Sequence, residues 1–441
     1  MHTQMGLRRG AVFGLVGLGL AGLMAACGSP GGSAAASSQS GPVKLVYWAG
    51  HSSGALYTAV KAEVKQFNKT HPGIQVTFIA KGASHHGLAA FEAGQAPNVG
   101  MVSSYIVPQL AQAGALVPLN SYINGPNGLT AAQIKQDYYP VVWKDMLIGG
   151  SQTRYLMPLE KKSLVVIYYN ANLFRKAGIS SPPRTWSQVG ADAAKITALG
   201  PKYHGIAWTP SLRQFLTITA ADGGRIFSSQ ANRKAYSLDN PAAAATVSML
   251  KAWIKHGYMI MTTGYEYQLD FGTGDVGMLI DASAGYTYDY GAVGGKFVMG
   301  GVPAPRGTTG HSAEYINGAS LTMFNVGTKA EKNASWIFMK WMSSPSTNTY
   351  WNEHTNYLPL GPAGYAMMQG FYAKNPAWAA SYSNPAYWWF KPRARVANFE
   401  ASKPPMLSIL MKGLQGQLSV SQTLQQMDSV GTGYLSGQTR G

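Results

Sequence analysis

The order of apolar runs along the chain predicts an α/β protein with open sheets. Two observations carry that expectation. A β-branched and aromatic run, VKLVYW (43–48), is followed by apolar residues at helical spacing and then by a second apolar run, IQVTFIA (74–80). The alternation then continues, with short apolar runs of strand length between longer amphipathic stretches,. The first helix is expected over 55–69, where Leu56, Val60, Val64 and Phe67 share one face,. THPG (70–73) stops it, and 74–80 reads as the next strand,. Strand, helix and strand in that order imply a right-handed parallel crossover. NVGMVS (98–103), VVIYYN (165–170) and VGMLID (276–281) read as further buried strands,. AEKNASWIFMKWM (330–342) reads as a helix whose Trp336, Met339 and Met342 are spaced for burial rather than for a binding stripe,.

The N-terminus has a different character. Arg8 and Arg9 precede an uncharged, glycine-rich apolar run (10–26) that ends in small residues, the layout of a secretory signal peptide,. A membrane span usually needs about 20 predominantly apolar residues; this run is shorter and carries Gly10, Gly14, Gly17, Gly19 and Gly22. GSPGGSAAASSQSGP (28–42) follows as a flexible tether and is the only low-complexity segment,. Cys27, between the two, is the single cysteine, so the body holds together without a disulfide,. LMAAC (23–27) resembles the bacterial lipoprotein box, with Met24 where that box usually has leucine. The resemblance implies that Cys27 is lipidated and becomes the mature N-terminus. Arg8 and Arg9 only weakly resemble a twin-arginine signal, so the export route stays open,.

The formal charge of +17 does not mark a nucleic-acid binder. Charged residues make up 12% of the chain, against a usual ~25%, and the imbalance is a shortage of acids, 18 against 35 bases,. No basic run exceeds two residues, as at Lys161–Lys162, so there is no phosphate-tracking stripe,. A surface poor in carboxylates loses little on protonation, which predicts tolerance of an acidic exterior; an acid melt that collapses at about pH 5 counts against this. The roughly 400 residues after the tether suffice for two domains,.

Several motifs are decoys or absent. GTGDVG (272–277) satisfies G-x-G-x-x-G, but that fingerprint needs a strand before it and a helix after it,. Here an apolar strand-like run follows, so a turn before a strand is expected. There is no phosphate loop of the G-x-x-x-x-G-K-[ST] type, no H-E-x-x-H and no cysteine pair for zinc,. Of nine histidines only His85 and His86 adjoin, a poor chelate on a turn. No pair among the acids stands out as a glycosidase couple,. No cofactor or metal is expected. Aromatic rings with a polar end are plentiful, 25 Tyr and 11 Trp against 14 Phe, which suits sugar and polyol sites and ordinary cores alike,.

A set of phrases in fixed order is more specific. FNKTHPGIQV (67–76), AAFEAGQAPNVGMV (89–102), ALVPLNSYI (115–123) and YLMPLEKKSLVVIYYNANLFRKAGI (155–179) come first. PPRTWSQV (182–189), DFGTGDVGMLIDASAG (270–285), INGASLTMF (316–324) and TNYLPL (355–360) follow. Together they resemble the family 1 extracellular solute-binding proteins of ABC importers, over nearly the whole mature chain. Such binders are anchored by lipid in bacteria lacking a closed periplasm, which also accounts for Cys27.

The resemblance implies a two-lobed periplasmic-binding-protein fold, type II, with the ligand in the interlobe cleft and no covalent chemistry. It implies a lipoprotein signal peptide (1–27), the tether (28–42), a first lobe from 43–158 and 297–345, and a second from 159–296 and 346–441. The chain is expected to cross near 158–162, to return near 294–297 and to cross again after Met342. Within the family, INGAS, TNYLPL and KPRARVANF (391–399) are most similar to the glycerol-3-phosphate and glycerophosphodiester binders. That likeness implies ligand hydroxyl contacts from Ser163 and Ser283, a backbone NH from Gly318, a phenol from Tyr357 and a phosphate fork from Arg395. Trp208, in GIAWTP, is expected to wall the polyol. Where that group carries a tyrosine and a glutamate for the glycerol hydroxyls, this chain has Ser84 and Ser104. Losing the carboxylate removes a strong acceptor for paired hydroxyls. A polyol phosphate, a diester headgroup and a neutral sugar therefore all stay open as ligands. The expected partners are that small solute, a membrane ABC permease and the bilayer through the lipid anchor, with the protein monomeric. A secreted hydrolase or esterase and a structural surface protein are the rival readings; turnover of a chromogenic substrate marks the first, and absence of ligand-induced stabilisation the second.

Overall fold

The computed structural model describes residues 41–148, 151–229, 233–380, 382, 384–389 and 396–438. The segment read as a signal peptide (1–27), with Cys27, and most of the segment read as a tether (28–42) lie outside the described residues. Strands β1 (Val43–Ala49), β2 (Ile74–Ala80), β3 (Val99–Val102) and β4 (Met157–Pro158) belong to the first half of the chain. They are followed by β5 (Lys162–Ser163), β6 (Val166–Asn170), β7 (His204–Trp208), β8 (Met259–Met261) and β9 (Val276–Asp281). The last are β10 (Met299–Pro303), β11 (Glu314–Asn317), β12 (Ser320–Met323) and β13 (Trp388–Trp389).

These strands build two five-stranded sheets, ordered β2-β1-β3-β12-β4 and β10-β6-β9-β7-β8, and a small sheet β13-β11-β5 between their connections. In the first sheet β1 runs parallel to β2 over Val43↔Ile74 to Ala49↔Ala80, as the strand–helix–strand reading expects. The helix joining them, Gly54–Thr70, buries Val60, Val64 and Phe67 against that sheet, with Leu56 partly covered. Helix Lys329–Met342 covers the same core with Trp336, Met339 and Met342, and Thr328 starts it with a capping box closed by Glu331,. All six residues of β9 are buried, the mark of a central strand with both faces covered,. The decoy glycines resolve as expected: Gly272 ends a helix, Gly274 turns at φ +92, and β9 follows, a helix–turn–strand order that reverses the dinucleotide fingerprint.

The lobes divide later than the sequence suggests. The return expected near 294–297 does not occur there, because β10 pairs antiparallel with β6 and stays in the second sheet. Its glycines permit this: a β-carbon on Gly300 would overlap the Tyr169 ring of β6. The chain re-enters the first sheet only at β12, paired with β3 and β4. The segment 346–441 is also divided. Trp351, Tyr357, Leu358 and Leu360 join the first-lobe core, while Phe399, Met406, Leu410 and Met427 join the second. The first lobe thus keeps the helix Pro345–Thr355, and the second receives the helices Val396–Leu414 and Val420–Ser436.

Candidate functional site

Three passes of the chain meet between the two large sheets. β4 leads through Leu159–Lys161 into β5, β11 leads through Gly318 and Ala319 into β12, and Asn356–Leu358 follows the helix Pro345–Thr355. They are tied to one another. β5 pairs with β11 at Ile316↔Ser163 and Asn317↔Lys162, and the Leu358 NH donates to the Lys161 carbonyl at 2.6 Å. The Lys161 ammonium, almost fully buried, donates to the Ala319 carbonyl at 3.2 Å and the Ser320 hydroxyl at 3.3 Å. Glycine at 318 is required by this closeness, since a β-carbon there would fall 2.0 Å from the Glu160 carbonyl oxygen.

Glu160 is the electrostatic centre of the crossing. Its carboxylate is buried, with Oε2 3.1 Å from His51 Nε2 and Oε1 accepting the Ala319 NH at 3.3 Å. Burial pushes this carboxyl up, but His51, Lys162 and the Ala319 NH together outweigh it and hold it below the usual range,. His51 lies 5.4 Å from the Trp351 ring, and Trp351 in turn 5.6 Å from Tyr357. Tyr357 is buried, its phenol pushed well up by desolvation and then by Glu160, and the Lys162 ammonium lies 5.6 Å from its ring centre,.

The second lobe supplies the opposite wall. Ser283 opens a short 3₁₀ turn, Ser283–Gly285, that packs against β5. It is fully buried and its hydroxyl oxygen has no hydrogen-bond partner. The Tyr168 hydroxyl donates to the Ser283 carbonyl at 3.4 Å and accepts the side-chain amide of Asn356 at 3.2 Å. Asn356 sits in the left-handed region, φ 54, as Asn tolerates better than most residues, and so ends its helix while delivering Tyr357,. Beyond the turn, Tyr288 reaches across to the first lobe, where a β-carbon on Gly54 would lie 3.3 Å from its hydroxyl.

Of the residues singled out in the sequence, Ser163, Ser283, Gly318 and Tyr357 converge on this crossing. Ser163 is committed locally: its hydroxyl donates to the Val165 carbonyl at 3.1 Å and accepts the Val165 NH at 3.2 Å. Ser104 is largely buried in the turn after β3. The next residue, Tyr105, has its phenol raised by burial and then by the Glu400 carboxylate of the second lobe, so this turn faces that lobe. Ser84 supports the same turn, accepting the Ser103 NH at 2.8 Å. Glu400 is held by Arg213 at 2.9 Å and by Lys403. Arg395 lies outside the described residues.

Trp208 is a correction. It has no exposed surface, lies in the second-lobe core with Phe215, and spends its ring NH on Gln214 Oε1 at 2.6 Å. It ends β7, which runs between β8 and β9, so its side chain is enclosed by the sheet's helical cover and walls no cleft,. A groove of about 740 Å³ lined by Arg184, Arg306, His311 and Tyr387 lies among second-lobe loops and includes none of the converging residues. His51, Glu160, Tyr168, Asn356 and Tyr288 were not singled out in the sequence. Glu160 and Asn356 lie inside the phrases LEKKS and TNYLPL, which is the one signal that pointed to them.

Comparison with known proteins agrees with this geometry. Residues 50–349 match the family described as bacterial extracellular solute-binding protein. The sn-glycerol-3-phosphate-binding periplasmic protein UgpB of Escherichia coli K12 is 26% identical over 349 residues, 73% of this chain and 76% of that protein. Its counterpart from Yersinia enterocolitica is 24% identical over 354 residues, 76% and 78% of the two chains. Among solved structures, UgpB from Mycobacterium tuberculosis in complex with glycerophosphocholine superposes with a TM-score of 0.75 at 20% identity, over 90% of this chain and 99% of that one. The cyclic α-maltosyl-1,6-maltose binding protein from Arthrobacter globiformis gives a TM-score of 0.75 at 21% identity, over 90% and 100%. With two sheets joined by the passes β4–β5 and β11–β12 and a family match across most of its length, the chain belongs to the bacterial extracellular solute-binding proteins.

Proposed function

We propose that this protein captures a small hydroxyl-rich solute between its lobes and delivers it to a membrane ABC permease. The solute is a polyol phosphate of the glycerol-3-phosphate or glycerophosphodiester type, or a sugar. The observation that carries the reading is the convergence of Ser283, Gly318 and Tyr357 on the strand crossing, with the Ser283 hydroxyl buried and unpartnered. A solute there touches both lobes at once, and only the closed form makes both sets of contacts, so binding favours closure. Ser283 and Tyr357 offer hydroxyls, Gly318 a backbone NH, and Ser104 a first-lobe hydroxyl. Ser163 joins only when its bond to Val165 opens. Arg395 pairs the phosphate of a phosphorylated solute. The protein acts as a monomer, is exported and held by lipid on Cys27, and makes or breaks no covalent bond in its solute.

A thermal-shift screen with sn-glycerol-3-phosphate, glycerophosphocholine and maltose, followed by calorimetric titration, tests this. A true ligand at 100 Kd stabilises the fold by about 2.7 kcal/mol. Arg395→Ala is expected to weaken a phosphorylated ligand at least about a hundredfold, and a neutral sugar closer to tenfold. Absence of stabilisation by every polyol phosphate, phosphodiester and sugar offered overturns the reading. Cys27→Ser should release the protein or leave an uncleaved precursor; an unchanged membrane-bound mature form places the anchor elsewhere.

A further inference from the structure

The turn that carries Ser283 is bracketed by two buried acids that no part of the solute-binding reading uses. Asp281 ends β9, and Asp289 lies in the helix Tyr286–Val293 that follows the turn. Asp281 is held from several sides. Its Oδ1 accepts the Tyr267 hydroxyl at 2.9 Å and the Ala282 NH at 2.6 Å, and its Oδ2 accepts the Gln268 amide at 3.3 Å. The carboxylate also fills the space beneath the turn, where a β-carbon on Gly285 would overlap Oδ2. Asp289 is fully buried and neither of its carboxylate oxygens has a hydrogen-bond partner. The groups acting on it are the Asp281 carboxylate and the Gln268 amide. The other titratable groups facing the pair are phenols: Tyr267 from the helix Glu266–Gly272 and Tyr168 from β6. Among the described residues neither acid forms an ion pair.

We propose that Asp281 and Asp289 hold one proton between them and act as positioning residues, stapling both ends of the segment 281–289 that presents Ser283 and Tyr288. A proton on one carboxyl supplies the hydrogen bond that Asp289 otherwise lacks. With both ionised, two like charges face each other in a desolvated space, which the fold relieves by letting the turn and its helix move apart. Burial raises both carboxyls, and for Asp289 the neighbouring Asp281 charge adds to it. The staple therefore holds in acid and loosens as pH rises through the folded-state values. Its consequence for the solute rests on the cleft reading above; the shared proton rests on the burial of both acids and the unpartnered oxygens of Asp289.

The test separates the two. Hydrogen exchange of the protein, corrected for intrinsic rate, is followed between pH 5 and pH 8 for wild type and Asp289→Asn. In wild type, protection of amides 282–290 is expected to fall with rising pH, by at most about tenfold per unit for one proton, while β1 stays unchanged. In Asp289→Asn, which keeps the shape, removes the facing charge and offers Asp281 an amide donor, the slope is expected to shrink well below that of wild type. A wild-type segment with pH-independent protection, or a variant with the wild-type slope, overturns the proposal. Should Asp289→Asn fail to fold, Asp281→Asn takes its place beside the wild-type profile, and a wild-type melting temperature that rises from pH 5 to pH 8 is then a negative result. Glycerophosphocholine and maltose, which do not titrate in this range, report the positioning role. For whichever binds, affinity is expected to weaken toward pH 8 in wild type only. A pH-independent affinity beside a pH-dependent exchange profile removes the positioning role. Where neither probe binds, exchange alone decides the proposal, and the cleft reading is left to the solute screen.

Discussion

At the strand crossing, Glu160 is buried beside His51, Lys162 and the Ala319 NH; at the lip of the second lobe, Asp281 and Asp289 are buried beside each other and beside phenols. Burial pushes all three carboxyls upward, so depth is not what separates them. His51, Lys162 and an NH donor bring Glu160 below its ordinary value, whereas Asp289 meets a second acid and rises. The two places therefore pull stability in opposite directions with pH. Glu160 has a folded value below its unfolded one, so its contribution is present above the ordinary glutamate range and is lost as pH falls through the folded value. The aspartate pair has folded values above the unfolded ones, so its contribution is complete below the ordinary aspartate range and is lost as pH rises. One region secures the crossing at neutral pH; the other secures the lip in acid.

The strongest way to break this contrast is Gly318→Ala. The new β-carbon collides with the Glu160 carbonyl, so the crossing passes must part and the His51–Glu160 bond with them; a loss of at least about 3 kcal/mol is expected in a calorimetric melt. Glu160→Gln is milder. It keeps the shape and removes the charge, at a cost of about 1.5–3 kcal/mol at pH 7, and melts below the ordinary glutamate range should converge with wild type. Persistence of the full difference at low pH places the effect in packing rather than charge. Tyr267→Phe sharpens the other side by removing one donor to Asp281. About 1–2 kcal/mol should be lost at pH 8 and less at pH 5, where a neutral carboxyl needs that donor less. Ser283→Ala has the smallest effect on the fold, within about 0.5 kcal/mol, because its hydroxyl has no partner to lose,. Its effect belongs to solute affinity, and a large destabilisation would assign Ser283 to the core.

Much of the frame is visible in the sequence because buried strands and amphipathic helices leave periodic marks. β1, β2, β6, β9 and the helix Lys329–Met342 lie within a residue or two of where apolar runs place them,. The later return to the first lobe leaves no such mark: Met299–Pro303 is short and glycine-rich, and only the Tyr169 ring lying against Gly300 shows why it belongs to the second sheet. Ser163, Ser283, Gly318 and Tyr357 were reached through family phrases, and they meet because those phrases border the crossing passes. Trp208 misled because an aromatic residue at a strand end looks the same whether it faces a cleft or a helix layer. Glu160 was hidden by its neighbours, since an acid next to Lys161 and Lys162 reads as a solvated charge. Asp281 and Asp289 belong to different kinds of element, and no spacing rule brings a strand end and the following helix together across a turn.

The order of the first sheet also bears on how the protein is made. β12 lies between β3 and β4, although the whole second sheet is encoded between β4 and β12. Synthesis therefore delivers β1 to β4 long before the strand that joins them, and the contact order of this lobe is high. Until residues 320–323 emerge, β3 presents an open edge of unpaired backbone groups to other nascent chains,. The N-terminal lobe, first out of the ribosome, stays open while the sheet of the other lobe is translated, and its vulnerability to aggregation peaks in that interval.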